Sequence, residues 1–220
     1  ALPICFLLCK AARDVFPQGK VVLRRPISKG YFCNVDKGDG TDLTVEDIGR
    51  ISVRMKKIVA EDMPFYRHEV QKTEAIELFR KMGCEDKVKL LETTDDVYLT
   101  YYTLGGTPDF YYDALVPSAG YLKVWELIPF HDGMLLRVPD RHHPEELAPM
   151  YSQPKTFDVF SESLRWNKIM NLSNVGDVNK ACIEGGATDL IQIAEALQEK
   201  KIVQIAEEID RRHFSRDHVR

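Results

Sequence analysis

The sequence lacks the short motifs that carry common phosphate-binding and hydrolytic chemistry. Its 220 residues contain neither a GxGxxG run nor a GxSxG elbow, which are the signatures of dinucleotide binding and of serine hydrolases. Gly19 and Lys20 are adjacent, but Val21 follows them and the upstream glycine of a P-loop is absent. The chain therefore has no recognisable site for a nucleotide phosphate.

Cysteine, net charge and long apolar runs are all scarce. The five cysteines are odd in number and widely spaced, which argues against a disulfide framework and predicts a reducing, cytoplasmic location. The net charge of −4 gives no sign of strong attraction to nucleic acid. The apolar run at the start, Leu2 to Leu8, is too short to span a bilayer. It predicts a buried helix and no association with a membrane.

Residues that could bind a metal or act as a nucleophile are also few. Cys5 and Cys9 share a helical face, but no second pair lies near them, so we interpret them as buried apolar side chains. His142 and His143, the only histidine cluster, would point in opposite directions on a strand and are interpreted as part of a surface loop. No Ser or Cys has a His partner in a recognisable motif. We therefore expect no metal site and no catalytic residue in this chain.

Hydrophobic periodicity predicts an α+β fold, in which helices pack on a largely antiparallel sheet and a helical C-terminal segment follows. Thr44 marks a helix start, because it can cap the helix and acidic residues follow in the first turn. The apolar stripe shifts by five residues between Leu197 and Ile202, which predicts a bend or the start of a new helix near Lys200. The expected helices cover residues 4–16, 45–61, 73–82 and 157–170, and the expected strands cover 21–27, 31–35, 65–70, 97–103, 110–112, 121–129 and 134–138.

The order of several short segments is similar to the editing region of threonyl-tRNA synthetases. Residues 30–36 resemble the GFYYDV-like strand of that region, and residues 43–48 resemble its LTxEDV-like helix start. The likeness continues through residues 74–79 and through Val116-Pro117, and it covers roughly residues 1 to 140. It implies the editing-domain fold of the threonyl- and alanyl-tRNA synthetase superfamily.

The resemblance also implies where a metal would be bound. The family's editing site uses an HxxxH pair on the first helix and a CxxxH pair on a later strand and loop. In this chain the first pair falls on Phe6 and Lys10, and the second falls on Tyr111 and Leu115. Phenylalanine and leucine cannot ligate a metal, and lysine would bring a positive charge to the place of the cation. The departure implies that the metal and its hydrolytic role are lost together.

A second resemblance covers almost the whole chain. Residues 115–123, 133–137 and 195–202 look like bacterial uridine kinase-like nucleoside kinases, in which a synthetase-like N-terminal region precedes a P-loop kinase domain. It implies a synthetase-editing-like domain at 1–150, a helical segment at 151–212 and, at 213–220, the lead-in to a kinase domain that this chain does not contain. ATP and magnesium are then expected for that kinase domain, and no cofactor for this chain.

Three functions are consistent with these resemblances. The first is a non-catalytic accessory domain, ligand-binding or regulatory, of a uridine or nucleoside kinase. The second is metal-independent aminoacyl-tRNA editing, for which the sequence supplies no convincing general base. The third is a structural or dimerising module, which would use the helices from Phe157 onward.

For the first function, residues of the former editing cleft would contact the ligand. A cleft with cations and aromatic rings suits an anionic or nucleobase-bearing ligand, so a nucleotide or RNA is the expected ligand. The kinase domain of the same chain and a second copy of the chain are the other expected partners. The alternative is that these side chains are ordinary surface cations and core aromatics. The candidate binding residues are Phe6, Lys10, Arg24, Arg25, Tyr31, Tyr111, Leu115 and Arg137.

Overall fold

The computed structural model describes residues 1–151 and 154–217. The chain divides into two compact units. The first contains residues 1–71 and 97–157, and the second contains residues 72–96 and the chain from residue 158 onward. Residues 72–96, which fall inside the expected 1–150 domain, therefore cluster with the C-terminal helices. Of the expected lead-in at 213–220, residues 218–220 lie outside the described residues.

The first unit contains two antiparallel sheets and two long helices. In chain order its elements are α1 (Leu2–Val15), β1 (Lys20–Ile27), β2 (Gly30–Asp36), α2 (Val45–Ala60), β3 (Phe65–Gln71), β4 (Tyr98–Leu104), β5 (Thr107–Phe110), β6 (Glu126–Phe130) and β7 (Gly133–Arg137). The four-stranded sheet has the order β1-β2-β7-β6, and the three-stranded sheet has the order β3-β4-β5. All strand pairs are antiparallel, so the expected largely antiparallel α+β fold is confirmed.

Tight turns fix the register of both sheets. Ser28 and Lys29, between β1 and β2, both have positive φ, as do Gly105 and Gly106 between β4 and β5. Two residues with positive φ match the turn that suits the right-handed twist of a two-residue hairpin. Both edge strands of the four-stranded sheet contain a proline, which are Pro26 in β1 and Pro129 in β6.

The core of the first unit forms where α1 and α2 pack on one face of the four-stranded sheet. Helix α1 is apolar on most sides, and the predicted burial is confirmed for residues 4–8, while Leu2 is exposed. Helix α2 begins at Thr44 as expected. The Thr44 side chain accepts a hydrogen bond from the Asp47 N–H at 3.1 Å, and Asp47 Oδ2 accepts one from the Thr44 N–H at 3.1 Å. This reciprocal capping box satisfies two backbone donors that a helix start otherwise leaves unpaired.

The second unit is helical. Its elements are α3 (Lys72–Lys81), α4 (Glu85–Glu92), α6 (Val175–Ile183), α7 (Ala187–Asp217) and, from residue 158 onward, α5 (Pro154–Ile169). Helices α4 and α6 approach closely at Gly176, where an added Cβ would lie 2.8 Å from the Cβ of Lys89. Beside it, Lys89 Nζ lies 2.7 Å from Asp177 Oδ1. Glycine is thus required at this crossing because any side chain would force the helices apart.

Four expectations about elements differ from the structure. The strand expected at 110–112 lies earlier in the chain, as β5, which ends at Phe110. The predicted bend or new helix near Lys200 is wrong, because α7 continues through this residue. No Pro or Gly interrupts the helix there, so the five-residue shift only changes which side of the helix carries the apolar stripe. The expected strand 121–129 is reduced to β6, because Ala119–Tyr121 form a 3-10 turn held by the Ala119 N–H donating to the Met63 carbonyl at 2.8 Å. Helix α4 was not expected, whereas α6 lies within the segment 151–212 that was expected to be helical. Within the described residues, no helix is long and apolar enough to cross a membrane.

Candidate functional site

Phe6 lies at the centre of the core and not on a cleft wall. Its side chain is 0% exposed. Its ring centroid lies 5.6 Å from that of Phe65 and 5.4 Å from that of Tyr111, with tilted planes. Such ring contacts stabilise the fold beyond the burial of apolar area alone. The first helix position that the editing resemblance singles out is therefore a packing residue.

Lys10 lies one turn further along α1 and is also buried. Its ammonium donates to Asp14 Oδ1 at 2.8 Å and to the Gly105 carbonyl at 3.0 Å. Asp14 Oδ2 accepts in turn from Arg54 Nε of α2 at 2.7 Å. A buried cation costs free energy unless it is paired and hydrogen-bonded. Lys10 meets both conditions and links α1 to the β4–β5 turn.

Tyr111 closes the same region from the segment after β5. Its hydroxyl donates to Asp109 Oδ2 at 3.0 Å. Burial raises the pKa of the Tyr111 hydroxyl well above its ordinary value, and the Asp109 carboxylate adds to the effect. Leu115 is half-buried against the core, and its N–H donates to the Tyr102 hydroxyl at 3.4 Å. Phe6 and Tyr111 are thus in direct contact, while Lys10 and Leu115 contact other partners.

Thiols and one further tyrosine surround this cluster. Burial raises the pKa of the Cys5 thiol to about 11 and that of Cys33 to about 12. Burial likewise raises the pKa of Tyr31, with Cys5 and Cys33 contributing. Because the thiolate is the reactive form, these cysteines are protonated and inert at neutral pH. They serve as small apolar side chains, as the sequence indicates for Cys5.

The three candidate arginines do not join this cluster. Arg24 is exposed on β1. Arg25 pairs in register with Phe32, its guanidinium lies 5.5 Å from that ring, and burial lowers the pKa of the guanidinium. Phe32 belongs to a small cluster separate from the main core. Arg137 forms an ion pair with Glu126 and donates from Nη2 to the Ala148 carbonyl at 3.1 Å. Arg25 and Arg137 thus hold the four-stranded sheet together.

The residues at the four implied ligand positions do not fit a metal ion. Phe6 and Leu115 have no donor atom, the Lys10 ammonium is already cationic and hydrogen-bonded, and the Tyr111 hydroxyl donates to a carboxylate. In the part of the chain that the structure describes, no group of three or more His, Cys, Asp or Glu side chains could hold a metal. No step through a metal can be derived for this site.

Several residues of this region were missed by reasoning from the sequence. They are Asp109, which orients Tyr111, Asp14 and Arg54, which surround Lys10, and Phe65, which packs on Phe6. Only the i, i+4 spacing of Lys10 and Asp14 on a predicted helix could have indicated a pair. Asp109 lies only two residues before Tyr111, whereas Arg54 and Phe65 lie far in sequence from their partners Asp14 and Phe6.

Over 56% of its length, the chain is similar to threonine–tRNA ligases. It is 32% identical over 123 residues to the enzyme of Carboxydothermus hydrogenoformans, and 33% identical over 125 residues to that of Paraburkholderia phytofirmans. Identity reaches 37% over 124 residues with the enzyme of Streptococcus equi subsp. zooepidemicus. The similarity spans only 19% of the length of these relatives. No protein-family model matches the chain.

Proposed function

We propose that this chain is a homologue of the editing region of threonyl-tRNA synthetases that acts as a non-catalytic accessory domain. The observation that carries the proposal is the aromatic cluster of Phe6, Phe65 and Tyr111. It fills the place where the resemblance puts the metal ligands of an editing site. Hydrolysis of an ester needs an activated water or nucleophile, and the described side chains here are apolar or already hydrogen-bonded to one another.

The test is hydrolysis of mischarged tRNA(Thr) by the purified chain. We expect no release of amino acid above the rate in buffer, with or without added zinc. A threonyl-tRNA synthetase editing region assayed in parallel establishes that the substrate is competent. Hydrolysis that is lost on heat denaturation of the chain would overturn the proposal of a non-catalytic domain.

Metal-independent editing is the second candidate, and the similarity to threonine–tRNA ligases favours it. The group that we propose as its general base is the Asp109 carboxylate, which accepts a hydrogen bond from the Tyr111 hydroxyl at 3.0 Å. Acting as a general base would require Asp109 to exchange this partner for a water. If the chain hydrolyses mischarged tRNA, Asp109→Asn should abolish the activity and Tyr111→Phe should retain it. Equal activity in both variants and the wild type would exclude this mechanism.

The parent protein that we propose for this domain is a uridine or nucleoside kinase, with ATP and magnesium bound by a P-loop domain of the same polypeptide. The support is the likeness of residues 115–123, 133–137 and 195–202 to that class. The test is ATP-dependent phosphorylation of uridine by the full-length gene product, together with the coding sequence that follows Arg220. A GxxxxGK[ST] motif and kinase activity are expected, and a synthetase catalytic domain in that place would overturn the assignment.

If the accessory domain binds a nucleotide or RNA, as the cations and aromatic rings suggest, the ligand must contact residues whose side chains are largely buried or hydrogen-bonded to protein atoms. Lys10 and Arg137 both contact protein acceptors, and Phe6 is enclosed. Arg24 is the exposed cation among the candidates. A thermal-shift panel of nucleotides and short RNAs tests this role, since a ligand that binds the native state raises its melting temperature. Loss of any such shift in Arg24→Ala would place the ligand at β1.

A further inference from the structure

Strand β3 is an open edge of the three-stranded sheet. It pairs with β4 on one side, in an unbroken register over seven residues. On its other side, the Phe65 N–H donates to the Pro117 carbonyl at 2.9 Å. Because backbone groups alternate between the two sides of a strand, those of Arg67 and Glu69 point the same way as those of Phe65. Among the described residues, no further strand pairs with this side of β3.

The other edge strands of the two sheets each contain a proline, whereas β3 has none. Pro26 lies in β1, Pro108 in β5 and Pro129 in β6, and proline removes a backbone donor from an edge. The register of β1 is also irregular between Leu23 and Arg25. Prolines and bulges are devices that proteins use against pairing at an edge. With neither device, β3 is left competent to pair with another strand.

The charges on β3 match a second copy of the same strand. Its cation and its anion, Arg67 and Glu69, lie on either side of His68. In antiparallel pairing about His68, Arg67 of each copy faces Glu69 of the other, and such cross-strand pairs are favourable. Pairing centred on Arg67 or on Glu69 would instead place like charges opposite each other. Pairing centred between two residues would set outward backbone groups against inward ones. One register therefore satisfies both the charges and the backbone.

The side chains of Arg67 and Glu69 are accessible to such a partner. They are 59% and 61% exposed, and Nη2 of Arg67 lies 3.6 Å from Oε2 of Glu69 in the same strand. An exposed ion pair of this kind contributes little free energy. Arg67 Nη2 also donates to Thr100 Oγ1 of β4 at 3.1 Å, which holds the guanidinium against the face of the sheet. A second copy would add an anion opposite this cation and a cation opposite Glu69.

We propose that two copies of the chain associate through β3, antiparallel about His68, so that their three-stranded sheets join into one continuous sheet. A twofold axis makes the contact reciprocal. The N–H and C=O groups of Arg67 exchange hydrogen bonds with those of Glu69 of the second copy, and Glu69 does the same with Arg67 of the second copy. Self-association is thereby assigned to a strand of the first unit and not to the C-terminal helices.

Side chains on the other face of β3 add to this contact. Tyr66 is 60% exposed and faces Val70 of the second copy, which forms an aromatic and β-branched pair of the kind that stabilises neighbouring strands. The Phe65 N–H is already bonded to Pro117, so the contact is confined to residues 66–70. An interface of this size predicts a reversible dimer and not a permanent one.

Sedimentation equilibrium of the intact chain over a range of concentrations is the first test. Arg67→Glu should weaken dimerisation by about tenfold or more, because the twofold axis then creates two contacts of glutamate with glutamate. Glu69→Arg should weaken it to a similar extent. The double variant restores opposite charges, so its dissociation constant should return to within about threefold of the wild-type value. The matched control is Lys56→Glu, a charge reversal at an exposed position of α2, which should leave the dimer intact.

Three results would overturn the proposal. The first is a wild-type chain that stays monomeric at the highest concentration reached. The second is a double variant that dimerises no better than either single variant, because complementary charge would then not set the pairing. The third is an equal loss of dimer in Lys56→Glu, which would show that net charge and not the β3 contact controls association. Circular dichroism verifies that each variant is folded.

Disulfide trapping tests the register in a Cys182→Ser background, which removes the exposed native thiol. His68 faces itself across the twofold axis with Cα atoms about 4.5 Å apart, which is within disulfide range. The two copies of Tyr66 are offset by four residues, or about 13 Å along the strand. Oxidation should therefore cross-link His68→Cys with itself, and it should leave Tyr66→Cys monomeric.

A second pair of variants makes the register test independent of His68, which also bonds to Thr103 of β4. Tyr66→Cys mixed with Val70→Cys should cross-link, while neither variant should cross-link alone. If both tests fail in folded variants, the antiparallel register is wrong. Cross-linking of Tyr66→Cys with itself would indicate a parallel arrangement and would also overturn the proposal.

Discussion

Replacing Phe6 with alanine distinguishes a core residue from the wall of a ligand cleft. Phe6 is fully buried and its ring contacts two other aromatic rings. Truncation of a buried phenylalanine removes its transfer free energy and leaves a cavity, at a cost of about 3–5 kcal/mol. The two ring contacts place the expected value toward the upper part of that range, because aromatic pairs add about 0.5–1.5 kcal/mol beyond area burial.

The assay is equilibrium unfolding in urea, followed by circular dichroism and by intrinsic fluorescence. Two variants serve as controls. Phe6→Leu keeps an apolar side chain and should recover much of the loss. Tyr112→Ala removes an aromatic ring that is 73% exposed and should cost less than about 1 kcal/mol, as most exposed substitutions do. Coincidence of the two probes is needed before a single free energy is assigned to a chain with two compact units.

The result that would refute this reasoning is a Phe6→Ala variant no less stable than Tyr112→Ala. Phe6 would then line a cleft that tolerates truncation, and the proposal of a filled editing site would lose its main support. If Phe6→Ala also gained affinity for a nucleotide or for RNA, the Phe6 ring would be blocking a binding cleft and would not be a core residue.

Three further predictions follow from turns, thiols and one carboxylate. Gly105→Ala should destabilise the chain more than Gly106→Ala in urea unfolding, because both have positive φ but only a Cβ at Gly105 would lie within 2.8 Å of two side chains. At pH 8 a thiol reagent should modify Cys182 rapidly and should modify Cys33 only after unfolding. Folding raises the pKa of Cys33 to about 12. The contribution of the Cys33 thiol to the free energy of unfolding is therefore full below the ordinary thiol pKa of about 8.5 and declines above it. A lysine partner holds the pKa of Asp177 below its usual range, so stability should fall as pH drops below about 4, and Asp177→Asn should reduce that dependence.

Local signals predicted most of the helices and strands. The capping residue Thr44, the apolar helix after Leu2 and the Gly105-Gly106 turn each act within a few residues, so their consequences can be read from sequence. In one place where the prediction was wrong, a distant contact decided the outcome. The turn at Ala119 is an example, since it forms because that N–H bonds to Met63, which lies in another part of the chain.

The resemblance picked out two residues that lie in contact, but not the side chains that surround them. The resemblance pointed to Phe6 and Tyr111, which are indeed in contact. It did not indicate that Asp109 orients Tyr111 or that Gly105 accepts a hydrogen bond from Lys10. The Lys10 contact is set by tertiary packing of α1 against a hairpin about 95 residues later, and no spacing rule connects the two. Asp109 is close to Tyr111 in sequence, but their spacing alone does not give the orientation of the hydroxyl. Whether a cation is free to bind a ligand therefore depends on contacts that sequence alone does not show.

The prolines at both edges of the four-stranded sheet have a consequence for how the protein behaves at high concentration. An edge strand with a continuous row of N–H and C=O groups is a template on which another chain can add a strand and start a fibril. Pro26 and Pro129 each remove a donor from such a row. Addition of a strand at either edge of this sheet is thereby weakened, so growth of a fibril from the four-stranded sheet is disfavoured in concentrated solutions.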